Sequence, residues 1–305
     1  MKPLKAPLLV LCAATICTTV VAAQRALPPS QLGIREAGVT TPLWRSDSAP
    51  ASWSSAPLAT RVHWRRAADG VSTGELLLAG TGEAWRTRLV VVRLDVTRLS
   101  FSLDTAWTRS TEPDWKIVRA PRDALFAMNA GQFRTAFPWG RVVFNGRQLF
   151  PPARGPLAMT FAVDSAGAVH WVLDGGPMPP GLAWAFQSYP VILRAREVPE
   201  ALRAPDRGVD VAHRDARLAF GRLPDGSLLV ALTRFEGLGK ALASVPFGLT
   251  APEMAAVMGA LGATDAVLLD GGISAQLVAG QGAARISLSG WRAVPLAFIA
   301  RARRR

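Results

Sequence analysis

The segment "GLTAPEMAAVMGALGATDAVLLDGGISAQL", residues 248–277, decides the fold. Thr250 and Glu253 stand at capping-box spacing, and Pro252 suits a first helical turn. The spacing predicts a helix over 251–261, closed by Gly262. "AVLLD" follows at once, a short apolar run that reads as a buried strand ending on the carboxylate of Asp270. Gly271 and Gly272 come next, so a ligand can approach the backbone closely beside that acid.

Upstream the pattern is mostly β. "RTRLVVVRLDV" (86–96) and "LSFSLDTAW" (99–107) read as strands, the second with clear alternation. "ALFAMNAGQF" (124–133) is an apolar strand interrupted by Asn129 and Gly131. "VVFNGRQL" (142–149) carries Asn-Gly, the strongest hairpin dipeptide. "LAMTFAVDSAGAVHWVL" (157–173) and "ARLAFGRLPDGSLLVALTR" (216–234) are two further hairpins. "YPVIL" (189–193) and the closing "WRAVPLAFIAR" (291–301) add short strands. There is no internal repeat and no alternating βαβα series, so the fold class is α+β: a single mixed, mostly β domain with few helices.

The first 23 residues read as a cleavable signal peptide. Lys2 and Lys5 precede an apolar run, and Val21 and Ala23 occupy small-residue positions before Gln24. An uncleaved anchor is the competing reading of that run. Export to the periplasm or the extracellular space follows from the signal-peptide reading, and no later stretch is long and apolar enough to span a bilayer. Cys12 and Cys17, the only cysteines, lie in this leader, so a chain cleaved there has no disulfide, thiolate ligand or cysteine nucleophile. Residues 24–58, rich in Pro, Ser and Ala, read as a linker or loosely ordered arm on which Trp44 and Trp53 could still dock. The folded domain is expected over 59–305, with its motif-bearing part at about 125–300.

Half of the 305 residues are hydrophobic and 19% are charged, a globular balance. The net charge of +13 comes almost wholly from arginines spread along the chain. No basic motif interleaved with aromatics accompanies them, so nucleic acid is not an expected partner, and anionic envelope polymers suit the charge better. The oligomeric state is not legible.

There is no G-x-S-x-G elbow, Walker loop or H-E-x-x-H pair. His63, His170 and His213 are too scattered to form a recognised zinc motif. What remains is polar residues at the ends of apolar strands: Asn129 and Gln132, Gln187 and Ser188, Arg217, Asp270 and Ser274. Amides suit sugar hydroxyls and a guanidinium suits phosphate. Asx turns at Asn129 and Asp270, and a surface pair of Arg217 with Asp210 or Asp215, are the plainer readings.

Taken together, "NAGQF", "QSYPVIL", "RLAFG", the 248–277 block and "WRAVPLAF" resemble the phosphodiester glycosidase family, from roughly Leu125 onward. Asn129, Gly131 and Phe133 match its Asn-Gly-Gly-Phe-Phe, with Ala130 and Gln132 as departures. Gln187, Ser188 and Pro190 match Gln-Ser-x-Pro. Arg217, Ala219 and Gly221 match Arg-Thr-Ala-x-Gly, with Leu218 in place of threonine. Asp270, Gly271, Gly272 and Ser274 match Leu-Asp-Gly-Gly-x-Ser. Of Asp-Gly-Arg only Arg234 remains, with Leu232 and Thr233 before it.

The resemblance implies hydrolysis of a sugar-1-phosphodiester at the anomeric carbon. Arg217, with Arg234, would neutralise the phosphate, while Asp270 would act as base, nucleophile or support for an oxocarbenium-like state. Asn129, Gly131, Gln187, Ser188, Gly271, Gly272 and Ser274 would bind and orient the substrate, a phosphorylated glycan or a nucleotide-sugar-like molecule. A second carboxylate is expected at Asp210 or Asp215. No cofactor is required. If a divalent cation takes part, the hard oxygens of Asp270 and Asn129 suit calcium or magnesium better than zinc. Two other readings of the same motifs are a non-catalytic glycan-binding or exopolysaccharide-assembly protein and a phosphodiesterase cleaving P–O.

Overall fold

Three runs in the sequence, "LVVV" (89–92), "LLVAL" (228–232) and "AVLL" (266–269), are apolar at successive positions. A strand needs that only when both of its faces are covered. The computed structural model, which describes residues 31–45, 49–80, 86–106, 113–134, 136–155, 157–173, 175–204, 207–236 and 248–303, shows both coverings. The expected leader, 1–23, lies outside the described residues.

The three runs sit in a nine-stranded antiparallel sheet. Its order is Val191–Leu193, Asp265–Leu269, Leu218–Arg222, Leu228–Phe235, Thr87–Leu94, Val71–Gly80, Gln31–Glu36 and Val39–Arg45, with Arg65–Ala68 also paired to Val71–Gly80. One face presents Val92, Leu94, Leu218, Phe220, Val230, Leu232, Val267 and Leu269 to the main core. The opposite face presents Leu89, Val91, Ala219, Leu229, Ala231, Ala266 and Leu268 to the helix Ala251–Ala260 and to Trp53 and Leu58. The helix starts as expected: Thr250 Oγ1 accepts the Glu253 N–H and Glu253 Oε2 accepts the Thr250 N–H.

Two five-stranded antiparallel sheets cover the main core. One runs Ile286–Leu288, Leu277–Ala279, Phe126–Asn129, Leu296–Ala302, Leu99–Thr105; the other runs Arg147–Phe150, Val142–Phe144, Leu182–Ser188, Met159–Asp164, Val169–Leu173. The three sheets meet at four phenylalanines: Phe220 from the large sheet, Phe298 from the first small sheet, and Phe161 and Phe186 from the second. Their ring centroids lie 4.9 to 6.4 Å from phenylalanine neighbours in this core, mostly tilted or edge-on. The class is the expected one, mostly β with one α-helix among the described residues.

Of the arm expected at 24–58, the described residues 31–45 and 49–58 are built into the fold. Gln31–Glu36 and Val39–Arg45 form a hairpin turning on Ala37-Gly38, and the first of these strands pairs with Val71–Gly80. Leu32 and Ile34 are buried in the second core. Trp53 packs so closely on the helix that a Cβ at Gly259 would lie 2.3 Å from its ring. The Pro, Ser and Ala content concealed an edge hairpin whose partner strand lies some 40 residues on.

Candidate active site

The corner begins where the strand Asp265–Leu269 delivers Asp270 to the end of the sheet. The Asp270 N–H donates to Gly131 O at 2.9 Å, and the Asp270 carbonyl accepts from Asn129 Nδ2 at 2.9 Å. Asn129 is fully buried, and its Oδ1 accepts the Gln276 N–H at 3.0 Å. Both ends of the 270–276 turn are thus clamped by one amide. The oxygen that would serve a cation in the sequence reading is engaged in this clamp, and among the described residues no three His, Cys, Asp or Glu gather around a metal-sized space. Gln276, also fully buried, ties the turn to its cover: Nε2 donates to Ser274 O and Arg292 O, and Oε1 accepts the Ile117 N–H.

Segment 213–217 lies against this turn, and glycine is what lets it. A Cβ at Gly271 would stand 2.4 Å from Ala216 O, and one at Gly272 would stand 2.6 Å from Asp215 Oδ2. Gly272 N–H donates to Ala216 O at 2.7 Å. The glycine pair therefore accommodates a neighbouring strand end first, in addition to any ligand.

Arg217 is half-buried, with Nε donating to Leu249 O at 2.7 Å and Nη2 donating to His213 O. Its N–H donates to Thr233 Oγ1 at 2.6 Å. Thr233, at one of the positions that depart from Asp-Gly-Arg, thus anchors the arginine's own backbone. Arg234 is only 4% exposed; its Nη2 donates to the carbonyls of Ala275 and Ser289, and among the described residues no carboxylate pairs with it. Burial alone lowers its pKa to about 10.

Burial also raises Asp270, to about 6, with a smaller push from the neighbouring charge of Asp215; a hydrogen bond from Ser274 and the charge of Arg292 act the other way. Asp215 is raised too, chiefly by burial, which outweighs Arg217, the Ala216 N–H and His213. Arg217 is lowered by burial, with Asp215, Asp210 and Glu253 opposing.

Gln187 and Ser188 reach the same strand end but turn their polar atoms to the backbone. Gln187 Oε1 accepts the N–H groups of Arg141 and Ala153, and Nε2 donates to Ala153 O. Ser188 Oγ donates to Leu268 O at 2.6 Å. Gly131 has a φ of +74°, and a Cβ there would meet Gln187 O at 2.9 Å. Of the residues read from sequence, Asp270, Gly271, Gly272, Ser274, Asn129 and Gly131 form one corner, with Arg217 and Arg234 on segments bonded to it. Asp210 instead caps its own turn, Oδ1 accepting from Ala212 and His213. Arg292 and Gln276 were not singled out; Arg292 stands in the closing "WRAVPLAF", where its charge beside Asp270 could have been suspected.

A half-buried carboxylate, a buried guanidinium that pairs with no acid among the described residues, and a glycine corner at the strand ends define a polar site on an antiparallel β scaffold. The model of the phosphodiester glycosidase family matches residues 122–301, and the chain belongs to that family. The catalytic domain of zebrafish N-acetylglucosamine-1-phosphodiester alpha-N-acetylglucosaminidase, auto-inhibited by its pro-peptide, shares the fold. It aligns with a TM-score of 0.53 and 15% identity, over 92% of this chain and 91% of that one. A hypothetical protein from Synechocystis aligns with a TM-score of 0.49 and 14% identity, over 91% of this chain and 69% of that one. No curated protein matches the sequence. No helix among the described residues is long and apolar enough to cross a membrane.

Proposed function

We propose that the chain hydrolyses sugar-1-phosphodiester linkages in envelope or extracellular glycans, breaking the bond between the anomeric carbon and the phosphate oxygen. The observation that carries this reading is Arg234. A buried guanidinium without a carboxylate is costly to hold, and a phosphodiester seated beside the 270–276 turn would compensate it. Arg217, whose Nη1 donates to no partner among the described residues, supplies a second cation on the adjacent strand end, paired there with Thr233. Asp270, ionised, faces the positive charge that develops at the anomeric carbon. Asn129, Gly131, Gln187 and Ser188 hold that carboxylate in place by shaping the backbone around it. A phosphate is already a good leaving group, so neutralising its charge matters more than donating a proton. The leader at 1–23 would place the enzyme in the periplasm or outside the cell.

The test is turnover by the chain lacking residues 1–23. UDP-N-acetylglucosamine and synthetic sugar-1-phosphodiesters are the substrates, in water enriched in oxygen-18. Label in the released sugar is expected. Label in the phosphate would assign P–O cleavage instead, and glycan binding without turnover would favour the non-catalytic reading suggested by Leu232 and Thr233.

A further inference from the structure

We propose that Asp215 is the carboxylate that takes the proton of the attacking water. The proposal rests on the hydrolase reading given above and completes its chemistry. Asp270 directly precedes the glycine pair, and Asp215 is close enough to Gly272 that any side chain there would collide with its carboxylate. The two acids sense each other, the charge of Asp215 adding to what burial does to Asp270.

Asp215 is held but not used up. Its main chain pairs with Leu249 in both directions, at 3.2 and 3.0 Å, and its Oδ1 accepts the Ala216 N–H at 2.8 Å. Its Oδ2 accepts no hydrogen bond among the described residues; the nearest cation-forming group is His213 Nε2, at 3.8 Å. The side chain is 22% exposed and His213 is 61% exposed, so a proton can leave Asp215 for solvent through the imidazole. Asp270 is the more enclosed acid, and of Asp210 and Asp215 only Asp215 lies against the glycine pair, which makes it the acid beside the turn with a free oxygen and a path outward.

In the step itself, a lone pair of the water oxygen forms the bond to the anomeric carbon. The C1–O bond breaks with its electron pair passing to the phosphate oxygen, and the phosphomonoester departs. The water proton moves to Asp215 Oδ2 and then to solvent. Asp270 keeps its charge throughout.

The experiment compares wild type, Asp215→Asn and Asp210→Asn on a synthetic N-acetylglucosamine-1-phosphodiester, with and without azide. Asparagine keeps the Oδ1 acceptor for Ala216, and thermal unfolding checks that the variant is folded. Asp215→Asn is expected to lose about 10²–10³-fold in kcat with little change in KM. Azide needs no base, so it should restore part of the rate and yield a glycosyl azide. Asp210→Asn, the competing carboxylate, should lose far less than Asp215→Asn, and the reverse order would overturn the proposal. Wild-type kcat in Asp215→Asn, or a loss that azide leaves untouched, overturns the proposal while leaving the hydrolase reading intact. A wild type inert on every phosphodiester removes both. If Asp215→Asn does not fold, Asp215→Glu replaces it: the shifted carboxylate should keep measurable rate, and a wild-type pH profile together with wild-type kcat would overturn the role. The groups that set that profile are Asp270, His213 and Arg217, with Asp210, Glu253 and Arg214 acting through Arg217 and Arg292 through Asp270.

Discussion

Asn129 holds Asp270 by its main chain: the side-chain amide donates to the Asp270 carbonyl at 2.9 Å while its oxygen accepts the Gln276 N–H at 3.0 Å. The aim of the carboxylate is therefore set from the neighbouring sheet, by a residue whose polar side-chain atoms are both occupied. Replacing Asn129 with Asp keeps the acceptor but sets an oxygen against the Asp270 carbonyl and adds a buried charge. Asn129→Asp should lower kcat by at least about tenfold and destabilise the fold by about 2–4 kcal/mol, since a buried, unpartnered polar group is costly. Steady-state kinetics and urea unfolding measure both.

Gln187 should behave as a structural residue. Gln187→Leu strands the N–H groups of Arg141 and Ala153 and the Ala153 carbonyl, so a loss of about 2–3 kcal/mol is expected. Per folded molecule, KM should stay near wild type. A KM raised tenfold in a variant of unchanged stability would return Gln187 to the substrate.

Gly272→Ala should damage both acids at once. The residue has φ +55°, and the new methyl would lie 2.6 Å from Asp215 Oδ2. Displacing that carboxylate and straining the turn should cost about 1–3 kcal/mol and most of the activity. Gly282→Ala, which has a similar φ of +54° but open space around it, is the control for strain alone.

The sequence made the helix and the strand behind it plain, because capping spacing and a bounded apolar run are local signals. The edge hairpin Gln31–Arg45 was concealed because its support is the distant strand Val71–Gly80. At the site, residue type and strand-end position picked out Asn129, Gln187, Ser188 and Asp270. Whether an amide faces a ligand or a carbonyl depends on what a remote segment places opposite it. For Gln187 that segment is Ala153, 34 residues away. Asp210 and Asp215 looked equivalent in sequence, five residues apart, and only the glycine pair at 271–272 tells them apart in space.

Arg234 predicts a measurable response to anions. Among the described residues its buried charge has no acid partner, so inorganic phosphate or sulfate should bind there and raise Tm in proportion to the logarithm of concentration. Arg234→Met should remove that response and should not itself lower Tm by more than a few degrees, because the burial cost of the charge disappears with it. A full anion response in Arg234→Met would place the phosphate elsewhere.

Asp270 ties activity to stability in opposite directions. Its carboxyl titrates near 6 in the folded protein against 3.8 for an unperturbed aspartate, so the folded state binds its proton more tightly than the unfolded chain does. Stability contributed by this residue therefore rises as pH falls from about 7 to 4, and above pH 7 the ionised group destabilises the fold by about 2–3 kcal/mol. Asp270→Asn should accordingly raise Tm at pH 7.5, give little or no gain at pH 4, and lower kcat by at least about 10²-fold. In the wild type, kcat/KM should fall with unit slope below about pH 6 as the carboxylate takes its proton. A variant that gains no stability at pH 7.5, or a wild-type profile flat from pH 7 to pH 5, would show that Asp270 is not the enclosed, ionised acid on which the chemistry depends.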